Sequence, residues 1–480
     1  MNKNLIILLL ISLILSCTNK NENIKIAIIK GEISTNEIKE IKFTSVNDNP
    51  ILSTFNEYVV LIDSNNHFSV EIPIDRIATG GLTIGNTRQN ICLFPSDKFY
   101  IYSNKDTIYF KGQGSEKNNF LNAIYTNGIS EKEFSKLGRN KNLKPQELLE
   151  KIKELKQKRL SFLESYQNKG ELESEFIEYF KIQTIVLYES QVQGVGQRFQ
   201  SKYDSIDLPY EFYQLQKFDN IMSNEKIISY RYLRSISNLA RLKSRELQQI
   251  DSTLDYKRAF QIVIDDSLTE KTQEYILASR ICWQLKINHY DTLAINKFNN
   301  IQADCLSIKS IETSTEKYHE KQSLLGKPLH SSFSETLLAD TANNQLSFGQ
   351  MMDKYKGNIV FLDIWALSCG PCRKTKSYEI QIQQRLSEQP IEFVYITEDS
   401  FEPDLWEKIF LTSSTKKNHY RMINNRGSSK LTKFMEINYV PSYMIFDKQG
   451  KLVDFMAERP FISTNGESKL ENILLQMISK

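Results

Sequence analysis

Cys369-Gly370-Pro371-Cys372 is the grouping in this 480-residue sequence whose residue types and spacing specify a reaction. Two thiols three positions apart can close into a disulfide and reopen by exchange with another. The residues before them, 358–365, form a near-continuous apolar run, and those after them read as a helix. Cys369 is therefore expected at a helix N-terminus, where unpaired N–H groups and the helix dipole favour a thiolate. Gly370 lets the backbone turn tightly. Pro371 suits a first helical turn, where its missing N–H costs nothing. Cys372, one turn further in, is the candidate resolving thiol.

Such a pair needs a scaffold, and residues 325–480 supply the pattern for one. The run at 358–365 predicts a strand buried on both faces. A short helix is expected at 346–355 before it, and after Cys372 a helix carrying Tyr378, Ile380, Ile382 and Leu386. A second buried strand follows at 391–397, with helices at 402–411 and 428–436. A strand at 443–446, a turn at Asp447-Lys448-Gln449-Gly450 and its partner at 452–455 precede a last helix at 467–478. Parallel units first and an antiparallel pair last is the order of a thioredoxin fold.

The stretches "FLDIWALSCGPCRK" and "INYVPSYMIFDKQGKLV", about 70 residues apart, resemble the TlpA/ResA-type family of thioredoxin-like thiol–disulfide oxidoreductases. The resemblance covers 325–480, about a third of the chain. It implies that Cys369 is the more exposed, attacking sulfur. Asp363, six residues earlier, aligns with the buried acid of thioredoxins; a carboxyl there has a raised pKa and can relay the proton of Cys372. A structural acid satisfied by backbone is the competing reading of Asp363. Pro441, after Val440, matches the proline that in this family is cis and faces the cysteines; the backbone at Val440 would then pair with an extended substrate segment. Trp365 either packs beside the site or serves only the core. Three positions depart from the family pattern. Ser368 stands where an aromatic is common, Thr375 where an acid is common, and Ser377 where a helix-kinking proline is common.

The rest of the chain is expected to tether and place this domain. Asn2-Lys3-Asn4 is a positive segment, 5–15 is almost purely aliphatic, and Ile14-Leu15-Ser16-Cys17 resembles a bacterial lipobox. Residues 1–17 are thus expected to be a lipoprotein signal peptide with lipidation at Cys17; a plain signal peptide is the alternative. Residues 18–117 carry short β runs at 24–29, 57–62, 67–72 and 98–102, and predict an antiparallel β-sandwich-like domain. The stretch "ICLFPSDKFYIYSNKDTIYFKGQGSEKNNFL" resembles the end of the N-terminal β domain of Bacteroidetes-type lipoproteins, with Pro95-Ser96-Asp97 in place of their Pro-Gly-Asp turn. Residues 118–320 read as antiparallel helices, at 145–168, 172–188, 209–218, 225–250, 254–264, 270–287 and 293–308. The expected fold class is a multidomain α+β and α/β chain: β-sandwich, helical middle region and C-terminal thioredoxin fold.

Charge and composition exclude several functions. The 61 basic and 58 acidic residues nearly balance, so nucleic acid is not an expected partner. His67, His289, His319, His330 and His419 form no metal-ligand spacing, and there is no nucleotide or flavin motif, so no cofactor is expected. Cys92 reads as core, and Cys282 and Cys305 either pair or sit as separate thiols. These readings predict a lipid-anchored oxidoreductase in the cell envelope, facing the periplasm of a Gram-negative bacterium. It would reduce disulfides of extracytoplasmic proteins with electrons from a membrane thiol donor. By family analogy, cytochrome c biogenesis is the implied pathway. An envelope binding or scaffold lipoprotein and a thiol peroxidase are the alternative classes.

Overall fold

The computed structural model describes residues 25–35, 37–47, 49–52, 56–104, 107–202, 208–367, 369–398, 418–423, 429–437 and 439–479. Cys17, Ser368 and the helix expected at 402–411 lie outside them. The chain divides into two compact units, Met1–Trp283 with Asp291–Ile311, and Gln284–Tyr290 with Glu312–Lys480. Most of the β and helical segments separated in the sequence reading fall together in the first unit, while residues 284–290 and 312–320 fall in the second.

That unit begins with eight strands among its described residues: β1 (Ile26–Ile33), β2 (Glu40–Asn47), β3 (Asn56–Leu61), β4 (His67–Pro73), β5 (Ala78–Ile84), β6 (Thr87–Leu93), β7 (Lys98–Ser103) and β8 (Ile108–Gln113). They form two four-stranded sheets, ordered β4-β1-β7-β8 and β3-β2-β5-β6. Side-chain alternation sets which face is buried: Ala27, Ile29 and Ile33 of β1 point inward with Ile41, Phe43, Leu82 and Phe99 from both sheets. The antiparallel expectation needs one correction, because β1 pairs with β7 in parallel. Parallel neighbours need a long crossover, and the five strands between these two supply it. At Pro95-Ser96-Asp97, Ser96 has φ of 71°, the left-handed region that glycine occupies without penalty. Asp97 closes the turn by accepting from Phe94 N at 2.7 Å.

Helices follow: α1 (Glu116–Thr126), α2 (Glu131–Arg139), α3 (Pro145–Gln167), α4 (Ser174–Lys202), α5 (Tyr210–Gln214), α6 (Tyr230–Ile250), α7 (Tyr256–Ser267), α8 (Glu270–Lys286), α9 (Thr292–Phe298) and α10 (Cys305–Gln322). Their core is aromatic; Phe120 meets Tyr166, Phe176 and Phe180 edge to face at 5.0, 5.7 and 4.9 Å. Asn118 of α1 donates to Cys92 O and accepts from Cys92 N, tying helix to strand. Lys117 is buried against Asp97 at 2.8 Å. The single helix expected at 293–308 is two helices. Asp304 interrupts it, accepting from Ser307 N at 2.8 Å as a cap does. Cys282 Sγ lies 3.4 Å from Ser310 O and is not bonded to Cys305.

The second unit is mixed α/β. Its sheet runs β10-β9-β13-β12-β11-β14-β15, from β9 (Leu337–Ala339), β10 (Gln345–Ser347), β11 (Ile359–Trp365), β12 (Ile391–Thr397), β13 (His419–Met422), β14 (Ser442–Phe446) and β15 (Leu452–Asp454). Its helices are α11 (Ser331–Ser334), α12 (Phe348–Asp353), α13 (Gly370–Arg385), α14 (Lys430–Phe434) and α15 (Lys469–Ile478). The short helix expected at 346–355 is shorter: Ser347 ends β10 and caps α12 in a reciprocal box with Gln350. The hydrophobic run at β11 is central. It pairs in parallel with β12 and antiparallel with β14. Its residues divide by period two. Val360, Leu362 and Ile364 enter one core, while Ile359 and Phe361 enter another with Ile382, Leu386, Tyr395 and Tyr443. Asp363 and Trp365 share the phase of Ile359 and Phe361, on the face that α13 covers.

Candidate active site

Cys369 and Cys372 are joined in a disulfide. Cys369 is the N-cap of α13, and its Sγ accepts from Cys372 N at 3.0 Å. Pro371 stands within the first turn, as its lack of an N–H allows. Arg373 Nη1 donates to Leu367 O at 2.7 Å, fixing the approach to the cysteines. Ala366 and the two cysteines form a small buried cluster, and Trp365 and Val440 pack against it. The Val440–Pro441 bond is cis, and Val440 O lies 3.5 Å from Cys369 Sγ. A disulfide sulfur carries no proton, so this contact becomes a hydrogen bond only when Cys369 is a thiol. The structure thus gathers Trp365, Cys369, Gly370, Pro371, Cys372, Val440 and Pro441 into one place.

The faces of β11 and α13 that pack together also carry a polar group of residues. Asp363, 4% exposed, sits at the middle of the sheet opposite Tyr395 on one side and Tyr443 on the other. Its Oδ1 has no hydrogen-bond partner among the described residues. Burial pushes its carboxyl well above the usual range. The like charge of Glu379 pushes the same way, and Lys376 opposes both.

Glu379 and Lys376 are not among the residues that the sequence reading singles out. Residues 372, 375, 376 and 379 share one helical face. On α13 that face puts Thr375, Lys376 and Glu379 below Cys372. Glu379 is 1% exposed, and neither of its carboxyl oxygens has a directed hydrogen bond among the described residues. Lys376 Nζ stands 3.3 Å from Glu379 Oε2 and 3.4 Å from the centroid of the Tyr395 ring. Burial raises the Glu379 carboxyl, and Lys376 offsets part of that rise. The Lys376 side chain is itself 27% exposed, so it runs from the buried acids to the surface. Thr375, standing where an acid is common in the resembled family, shares a 3.1 Å hydrogen bond with Tyr443 Oη. The acid in this chain comes one turn later.

This arrangement can cycle between disulfide and dithiol. The capping position of Cys369 suits it for nucleophilic attack, and Asp363 and Glu379 are buried acids on the β11 and α13 faces that pack together behind the site. Among the described residues no cluster of His, Cys, Asp and Glu could hold a metal ion.

A family described as Thioredoxin-like matches residues 357–452. That span holds the cysteines, Asp363, Glu379 and Pro441, and the C-terminal domain is accordingly thioredoxin-like. No curated protein matches the chain. Solved structures similar to part of it include the thioredoxin domain of a thiol-disulfide oxidoreductase from Bacteroides vulgatus, at 19% identity over 31% of this chain and 99% of that one, with a TM-score of 0.25. A thiol:disulfide interchange protein from Bacteroides sp. is 19% identical over 30% of this chain and 86% of its own, with a TM-score of 0.25. A pneumococcal exposed lipoprotein thioredoxin from Streptococcus pneumoniae is 19% identical over 29% and 97%, with a TM-score of 0.22. The family match and the closed cysteine pair support thiol–disulfide oxidoreductase activity in this chain.

Proposed function

We propose that this chain is a membrane-tethered thiol–disulfide oxidoreductase of the TlpA/ResA type that reduces disulfides in extracytoplasmic proteins. The observation that carries the reading is the Cys369–Cys372 disulfide capping α13 over the buried Asp363. In the reduced protein, the Cys369 thiolate attacks one sulfur of a substrate disulfide. A mixed disulfide forms and one substrate thiolate leaves. Cys372 gives its proton to the ionised Asp363 carboxylate and attacks Cys369 Sγ. The second substrate thiolate departs, and the chain is left oxidised. Two electrons have passed from the Cys369–Cys372 dithiol to the substrate. A dithiol donor at the membrane restores them by the same exchange in reverse.

The Gly-Pro pair between the cysteines, shared with reducing thioredoxins, supports the direction. The positive segment, aliphatic run and Ser16-Cys17 junction support an envelope location with a lipid on Cys17. The β-sandwich and helices would then act as a spacer or partner-binding module between anchor and redox domain, with cytochrome c maturation one pathway that such a reductant serves. The test is the reduction potential of the full chain, equilibrated in glutathione and dithiothreitol buffers. A value near that of thioredoxin, about −270 mV, is expected; one near about −120 mV, that of a strong oxidant, overturns the direction.

A further inference from the structure

The first unit contains a cavity of about 400 Å³ that the redox reading does not use. This volume is in the range of small-molecule sites. Strands β5 and β6 form one wall, and helices α1, α3 and α4 form others. The wall at β5 lacks side chains at Gly80 and Gly81, and the Arg88 guanidinium lies across Gly81. Phe176 and Phe180 supply apolar surface, and Asn90 and Gln183 supply amides.

The charges of this cavity are unbalanced. Arg88, Arg159 and Arg231 line it against one carboxylate, Glu131. Glu131 is taken by Arg231 at 2.7 Å. Arg159 is 3% exposed, yet has no carboxylate partner among the described residues. Its Nη1 donates to Ile129 O at 2.6 Å, its Nε to Thr184 Oγ1 at 3.3 Å, and its guanidinium lies 4.6 Å from the Phe180 ring centroid. Among the described residues Nη2 makes no hydrogen bond. Buried charges are normally paired, because isolating one from water is costly. Burial lowers the Arg159 pKa only to about 10, so the charge persists at neutral pH.

We propose that this cavity binds a small organic carboxylate with an apolar body, whose head group pairs with Arg159 and whose body lies on Phe176 and Phe180. A charge-assisted hydrogen bond to a buried guanidinium is strong, and the aromatic walls exclude water from it. The proposal is independent of the cysteine chemistry, which belongs to the other compact unit.

Anilinonaphthalene sulfonate, an aromatic anion that fluoresces in apolar surroundings, is a suitable probe for the full chain. We expect a saturable one-site signal that benzoate displaces and neutral benzamide does not. Arg159→Met should weaken probe and benzoate binding by about 10- to 100-fold, the worth of a charged hydrogen bond. Arg159→Lys should recover part of the loss. Asn90→Trp plugs the cavity from an exposed strand position and tests the site should Arg159→Met fail to fold; circular dichroism reports folding of each variant. Displacement by benzamide equal to that by benzoate overturns the proposal. So does unchanged binding in folded Arg159→Met or in Asn90→Trp, or the absence of a saturable signal.

Discussion

Cys369 and Cys372 would be ordinary thiols if they stood alone; what surrounds them gives each a task. Cys369 gains the helix N-terminus. Cys372 lies on the helical face that carries Glu379 two turns on, and the buried pair Asp363 and Glu379 carries a pH signature. Asp363 and Glu379 have carboxyls raised by burial. In the unfolded chain they ionise near pH 4, while in the folded protein they keep their protons to higher pH. The folded state then binds more protons than the unfolded one, so stability is whole below about pH 4 and falls as pH rises towards the raised values. Glu379→Gln should flatten this fall, and should also lower the Asp363 pKa by removing a like charge. Thermal unfolding of the oxidised protein across a pH series checks both. On the proposed function, Asp363→Asn should slow release of a mixed disulfide by roughly 10²-fold, the usual worth of a positioned proton acceptor, in stopped-flow exchange with a peptide disulfide. The cysteines, Asp363 and Pro441 are legible in sequence because short motifs contain them. Glu379 and Lys376 could be found only by running the helical phase on from Cys372 and asking what it meets. Tyr443 could not be found so, since strand pairing with Asp363 across about 80 residues places it.

At the scale of elements, α13 does two jobs with one face. Its first turn is capped by the Cys369 sulfur, and its later turns bury Ile382, with the C-cap Leu386, in a core shared with Phe361 and Tyr395. Positioning and packing are therefore coupled. Ile382→Ala should cost about 2–5 kcal/mol by leaving a cavity, whereas Gln384→Ala on the exposed face should stay within about 0.5 kcal/mol. Chemical denaturation of the oxidised protein compares the two. Apolar periodicity makes such helices and the β11 strand visible in sequence. Ends and breaks are harder. The split between α9 and α10 depends on Asp304, whose backbone N–H also donates to Glu274 of a distant helix at 2.8 Å. The parallel β1–β7 pair depends on a partner that arrives 65 residues later. Neither leaves a local trace.

At the scale of the molecule, the two compact units hold separate features, a cationic cavity in one and a cysteine pair in the other. On the proposed function the redox unit also meets another protein, and there the Val440 carbonyl has a consequence. Its oxygen stands 3.5 Å from the Cys369 sulfur. A thiolate at that sulfur and a carbonyl oxygen repel each other, so an idle reduced chain holds its nucleophile partly in check. An arriving peptide that lends a backbone N–H to this oxygen draws off its electron density. Arrival and arming then become one event. A cystine-bridged peptide should react faster than a small non-peptide disulfide of equal potential, and the gap should close for a peptide whose amide beside the cystine is N-methylated. Equal rates for all three in stopped-flow kinetics would count against it. Reactivity conferred by the visitor is a form of discretion: the sulfur stays slow towards stray oxidants and turns quick only for a chain laid against it.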